Sequence, residues 1–345
     1  MPSPDVRLKV DGSLYGGWQR ITIRRSMEQL AASFELGVTE RWAGQETVRP
    51  IAPGASCELQ VDGAILIKGY VDDVSVDYDA KSHEVKVSGR DRTGDLIDCS
   101  APATQFSGRT LAQVARDLCK PFGIGVRAEA DTGGQFSHLK NNEGDSVFET
   151  LEAAARVRAV LLLSDGLGNL VMTRASTSRI TTVLELGTNI FRANGTASHR
   201  DRFSQYQVKG QQSGSDDWYG EDAAHPLGSA TDGDITRHRP LTVLAEEQID
   251  SASAKERAEW ERNVRYGRSR RISYTVHGWY HADGLWQPNV LVDVRDPFLS
   301  LTGTRLVAGV GLTLDEDGFT TTLELLPRQA FDRIELPEPG EDATW

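Results

Sequence analysis

The chain has 345 residues, 39% apolar and 26% charged, enough for two or three domains with cores of their own. A formal net charge of −12 repels nucleic-acid phosphate and argues against a dedicated DNA-binding protein. No stretch approaches the roughly 18 apolar residues of a membrane span, and three cysteines without Cys-x-x-Cys spacing point to buried free thiols, not to disulfides or a zinc site.

The start, Met1-Pro-Ser-Pro-Asp-Val-Arg, lacks the apolar segment of a secretory signal, so the expected site of synthesis and assembly is the cytoplasm. Residues 1–98 alternate apolar and polar side chains and read as a first β-unit. Asp11-Gly12 and Asp62-Gly63 serve as hairpin turns, and residues 79–83 link two strands. From 99 to 175 the period becomes helical and the chain reads as a small α+β module. Thr110 with Gln113 and Ser146 with Glu149 are capping boxes ahead of two amphipathic helices. A strand follows at 123–126, and 159–163 and 170–172 form two more around a turn at 164–169.

β-character resumes over 176–216 and 268–331, a second unit in which 206–209 is expected as the first strand. Between these segments, 217–267 reads as an insertion. Its Gly-, Ser- and Asp-rich stretch, within a polar run over 211–239, predicts a long exposed loop. Ser253 with Glu256 predicts the cap of a charged helix over 254–266. Residues 332–345 form an acidic, Pro-containing tail.

The two β-units answer one another. Phe34, Leu36 and Val38, then Pro53-Gly54, then Cys57, Leu59 and Val61, match Ile272, Tyr274 and Val276, then Pro288-Asn289, then Val290, Val292 and Val294. Leu66-Ile-Lys-Gly69 aligns with Leu306-Val-Ala-Gly309. Val74 precedes Val85, and Leu312 precedes Leu323, by the same offset. A duplicated sheet can place two equivalent barrels in a ring, so that three copies give six similar lobes.

Residues with chemical potential do not converge. His277 and His281 fall on a strand, two side-chain steps apart, which is poor spacing for a metal site. Asp72 and Asp73 are adjacent on a strand and point to opposite faces. Asp315-Glu-Asp-Gly318 reads as a turn, not a calcium loop. No catalytic, cofactor-binding or metal-ligating residue is assigned, and no cofactor is expected. The one basic cluster is Arg262, Arg265, Arg268, Arg270 and Arg271, of which Arg268, Arg270 and Arg271 are the candidate subunit contacts. Two alternatives are a receptor that stacks glycans on Trp279, Tyr280 and Trp286, and a cell-wall hydrolase.

Several strings together resemble the baseplate hub proteins of Mu-like contractile-tailed bacteriophages: Ser26-Met-Glu-Gln-Leu-Ala31, Phe34-Glu-Leu36, Thr39-Glu-Arg-Trp42, Gly69-Tyr-Val-Asp-Asp73, Ser88-Gly-Arg-Asp-Arg-Thr-Gly-Asp-Leu-Ile-Asp98, Arg239-Pro240, Trp260-Glu261, Gly278-Trp279 and Gly284-Leu-Trp-Gln-Pro-Asn289. The resemblance implies a mainly β fold with an α+β insertion, comprising two tail-tube-like β-barrels and smaller α/β modules. It also implies a structural, non-enzymatic role in the tail baseplate of the virion. A homotrimer of pseudo-sixfold symmetry would seat the central spike, meet the tail tube and other baseplate proteins, and let DNA pass without specific binding or membrane insertion. Some hubs carry a fused cell-wall-cleaving domain and this sequence has none, so lytic activity is expected to belong to another protein.

Overall fold

The computed structural model describes residues 4–39, 51–79, 83–209, 227–244 and 251–334. Its first unit consists of Val6–Val10 (β1), Ser13–Tyr15 (β2), Arg20–Ser26 (β3), Ser33–Thr39 (β4), Ser56–Val61 (β5), Ala64–Tyr78 (β6) and His83–Asp91 (β7). Alternate residues of β1, β3 and β5 are buried, so each strand presents one apolar and one polar face. Asp11, Gly12, Asp62 and Gly63 all have positive φ, which makes the β1–β2 and β5–β6 turns the expected primed hairpins.

The central module contains Gly94–Asp98 (α1), Leu111–Cys119 (α2), Gly125–Ala128 (β8), Val147–Val157 (α3), Leu161–Ser164 (β9) and Asn169–Thr173 (β10). Both capping boxes form. Gln113 N donates to Thr110 Oγ1 at 3.3 Å while Thr110 N donates to Gln113 Oε1 at 3.0 Å. Glu149 N and Ser146 Oγ, and Ser146 N and Glu149 Oε2, meet at 3.1 and 2.7 Å. Leu111, Val114 and Leu118 of α2 pack with Leu151 and Ala155 of α3 against Leu162, Leu170 and Met172.

The rest of the chain forms Arg179–Glu185 (β11), Ile190–Ala197 (β12), Gln205–Lys209 (β13), Leu227–Thr231 (β14), Pro240–Leu244 (β15), Ser251–Arg268 (α4), Arg270–His277 (β16), Leu291–Asp296 (β17), Leu301–Asp315 (β18) and Gly318–Leu326 (β19). The strand expected at 206–209 exists but does not join the second unit. It is the centre of a separate sheet, β14-β13-β15, packed on α4. Tyr206 and Val208 are buried there against Ala254 and Ala258. Gly228 permits the approach, since a Cβ on it would lie 2.0 Å from the Ala254 carbonyl carbon. Strand β14 therefore occupies part of the stretch expected as loop; its small residues Gly228, Ser229 and Ala230 carry little hydrophobic signal. Helix α4 begins at Ser251, so Ser253 lies inside it and not at its cap; the burial of Ala254 on β14 continues the helix upstream. Residues 211–226 of the expected loop, Glu40 to Trp42, positions 80–82 and the tail beyond 334 lie outside the described residues.

Both β-units belong to one 13-stranded sheet of order β12-β16-β19-β18-β3-β4-β7-β6-β5-β1-β2, with β17 paired to β18 and β11 to β17. The units meet edge to edge where β18 pairs antiparallel with β3. No strand pairing closes either unit into a barrel among the described residues. One apolar core runs beneath both, from Leu36, Leu59 and Val87 to Tyr274, Val294 and Leu323.

The duplication is present as strand order: β3-β4-β7-β6-β5 is repeated by β12-β16-β19-β18-β17. Phe34 and Ile272 are equivalent, as the sequence suggested, because Phe34 faces Gly89 beside Val71 and Ile272 faces Leu325 beside Val307. The long strands align away from the sequence match by an even number of residues, two for Val74 with Leu312 and four for Gly69 with Gly309, because Gly69 corresponds to Arg305. Each carries an equivalent bulge, between Val71 and Asp73 in β6 and between Val307 and Gly309 in β18, so Val71 corresponds to Val307 and Val74 to Val310, not Leu312; β6 has a second bulge at Leu66, against β5. A two-residue slip preserves the buried face of a strand, so alternation alone does not detect it.

Candidate assembly site

Among the described residues there is no group of three or more His, Cys, Asp or Glu suited to holding a metal, and no helix long and apolar enough to cross a membrane. His277 lies against Phe191 and His281 against Trp286, with ring centroids 4.6 Å apart in each pair. Asp72 accepts from Arg90 at 2.7 Å while Asp73 accepts from Ser88 at 3.4 Å, so the two carboxylates serve different partners. Asp315 pairs with Gly318 across a tight turn, and Asp317 N donates to Asp315 Oδ1. Trp279 and Trp286 are buried and Tyr280 donates to Asp62, so these aromatics do not form an open stacking surface.

The basic cluster divides. Arg271 donates to both carboxylate oxygens of Glu28 at 2.7 Å and to Glu324 Oε2 at 2.8 Å; the hydrogen bonds to Glu28 lead in holding its pKa above the ordinary guanidinium value. Arg270 stands over the Tyr266 ring and 3.7 Å from Asp234. Arg265 and Arg257 flank Glu261 on α4, and Arg262 bonds Asn263. Arg268 alone of the three candidates makes no ion pair among the described residues. It is exposed at the junction of two clefts of about 610 and 250 Å³. The larger cleft lies between the module and α4 and is lined by Met27, Phe148, Arg156, Trp260, Phe331 and Arg333 among others.

Among the described residues two sheet edges are also open, and neither was singled out from the sequence. Strand β12 ends the sheet, and its residues after Ile190 are all exposed, including Phe191 at 48%. Among the described residues the second half of β6 pairs with β7 on one side only, because β5 stops pairing at Tyr70; Val76 there is 51% exposed. The available signal was an apolar alternation, Val74, Val76 and Tyr78, continuing past the point where a neighbouring strand could cover it. Open edges of this kind are places where another chain can pair.

Two further groups fix these elements. Asp91, buried at the end of β7, accepts from Ala32 N at 2.6 Å, Thr93 N at 2.8 Å, Thr93 Oγ1 at 2.6 Å and Ser164 Oγ at 2.7 Å, tying β4, α1 and the module together. Burial pushes its carboxyl up and these donors oppose the rise. Arg202, 1% exposed, grips Asp232 through two bonds of 2.8 Å and reaches Asp234 at 2.8 Å, which locks the β13 sheet to the loop beside α4.

Comparison with known proteins agrees with this architecture. Family models match three segments: Mu phage baseplate assembly protein GpP-like, N-terminal, over residues 5–91; baseplate hub protein gp44-like, second domain, over 93–174; and Mu phage baseplate assembly protein GpP, fourth domain, over 250–334. The chain is 37% identical over 341 residues to baseplate hub protein gp44 of Escherichia phage Mu, covering 95% of this chain and 89% of that one. Among solved structures it is similar to the 43 kDa tail protein of prophage MuSo2 from Shewanella oneidensis, with 35% identity, 96% and 100% coverage and a TM-score of 0.87. It is also similar to a tail protein from Neisseria meningitidis MC58, with 26% identity, 96% and 98% coverage and a TM-score of 0.83. The chain belongs to the family of baseplate hub proteins of Mu-like contractile-tailed phages.

Proposed function

We propose that this hub protein acts as a homotrimeric ring of pseudo-sixfold symmetry that joins the central spike to the tail tube and leaves a channel for DNA. The observation that carries the reading is the repeat of five strands in the same spatial order, with the same bulge, in one chain. Three copies then supply six equivalent lobes, three from residues 1–98 and three from the strands within 179–197 and 270–326. Such a ring matches a threefold spike on one side and a sixfold tube on the other. The role is structural and not enzymatic, and other baseplate proteins dock around the ring.

The polar face of the sheet, opposite the apolar core, is the surface this reading assigns to the channel. Arg20, Arg24, Lys86, Arg192 and Arg271 stand among Glu35, Asp73, Asp77, Glu84 and Glu324, with Thr22, Ser75, Ser88, Ser273 and Thr322 between them. Among these ten residues the charges balance, so this reading gives that part of the channel a neutral, hydroxyl-rich lining. A surface of paired charges and small polar groups offers phosphate no continuous basic track.

Sedimentation of the purified chain tests the reading. The expected mass is three times 37.9 kDa. A particle of one copy at every concentration, unchanged when the spike protein is added, would refute it.

A further inference from the structure

Within one chain the two units meet at a strand junction. In it, β18 pairs with β3 so that Gly311 faces Arg24, Leu312 faces Ile23 and Leu314 faces Ile21. Each partner has a counterpart on an open edge. Since Val307 corresponds to Val71, residues 311, 312 and 314 correspond to Ser75, Val76 and Tyr78 of β6. Since Phe34 and Ile272 correspond, and face Ile23 and Gly195, the β3 residues 24, 23 and 21 correspond to Thr196, Gly195 and Ala193 of β12.

We propose that β12 of one copy pairs antiparallel with the second half of β6 in the next copy, with Ser75 opposite Thr196, Val76 opposite Gly195 and Tyr78 opposite Ala193. This rests on the ring reading above and adds to it the edges and the register. Shape and charge favour the match. Where β3 offers two isoleucines to leucines, β12 offers Gly195 and Ala193 to the larger Val76 and Tyr78, so the bulk is carried by one edge and accommodated by the other. Arg192, which has no ion-pair partner among the described residues, comes diagonally beside Asp77 of the neighbour, a favourable cross-strand placement. Pairing also covers Val76 and removes both open edges from solvent.

The test is oxidative crosslinking in a Cys99→Ser background. A chain carrying Ser75→Cys and Thr196→Cys, both on the polar face, is compared with one carrying Asp77→Cys and Thr196→Cys, displaced by two residues. Sedimentation and far-ultraviolet circular dichroism are measured on each. The expected result is at least tenfold more covalent trimer from the first pair. Trimers in solution that crosslink equally poorly in both, or better in the displaced pair, overturn the register and leave the ring standing. Absence of trimers from the parent chain, both alone and with the spike protein added, overturns the ring reading and this inference with it.

Discussion

Val71 and Val307 occupy equivalent positions in the two halves of the chain. Val71 accepts from Gly54 N at 2.7 Å and donates to Ala55 O at 3.0 Å; Val307 accepts from Asn289 N at 2.8 Å and donates to Val290 O at 2.9 Å. Both turn residues have positive φ, 82° at Gly54 and 61° at Asn289. Asn289 does more than turn the chain, because its side chain accepts from Ser176 N at 2.8 Å and donates to Arg174 O at 3.2 Å. Replacing it by glycine keeps the turn and loses these two bonds, at a cost of about 1 kcal/mol after relief of backbone strain. Asn289→Val, β-branched at positive φ, should cost about 3 kcal/mol. Urea unfolding of the two variants gives the comparison, and equal losses would contradict it.

Asp91 gathers four donors from three parts of the fold. Asp91→Ala strands all of them in a buried site and should destabilise by about 3 kcal/mol. The loss should appear as earlier separation of the module from the first unit. Hydrogen exchange at Ala32, Thr93 and the β9 amides would report it, and unchanged protection there would count against this role.

Cys57 and Cys119 are buried, and burial pushes both thiols up to about 12. In the native protein at pH 8 a thiol reagent should therefore label Cys99, which is partly exposed, well before the other two. A group whose folded pKa is raised contributes stability that is complete below its unfolded pKa, about 8.5 for a thiol, and is lost as pH rises toward the folded value. Denaturation midpoints should accordingly fall between pH 8.5 and 11, and less steeply in Cys57→Ser.

Arg268 faces the clefts beside α4 without an ion-pair partner among the described residues, whereas Arg271 is engaged by Glu28 and Glu324. Arg268→Glu should weaken assembly with an acidic neighbour at low salt, with the difference shrinking as salt screens the contact. Arg271→Glu should instead lower the stability of the single chain, by placing three carboxylates together. Melting curves and sedimentation at two salt concentrations separate these effects, and an Arg268→Glu chain that assembles normally at low salt would exclude the contact.

Local chemistry made much of the fold legible in the sequence. Thr110 and Ser146 announced their helices through reciprocal hydrogen bonds that need only four residues, and Asp11-Gly12 and Asp62-Gly63 announced their turns through φ. The repeat was legible in strand order, but its register in β6 and β18 was not, because period-two burial is unchanged by a slip of two. Strand β14 stayed hidden because Gly228 is selected by the close approach of α4 and not by hydrophobicity. The pairing of Arg202 with Asp232 joins residues thirty apart and leaves no local pattern. The open edges depend on where β5 stops, a property of the assembled sheet.

Averaged electron micrographs of the purified protein decide whether copies of this chain close a threefold ring. The expected image is a ring with three arms and six inner lobes. Single compact particles, both alone and with the spike protein present, would contradict it.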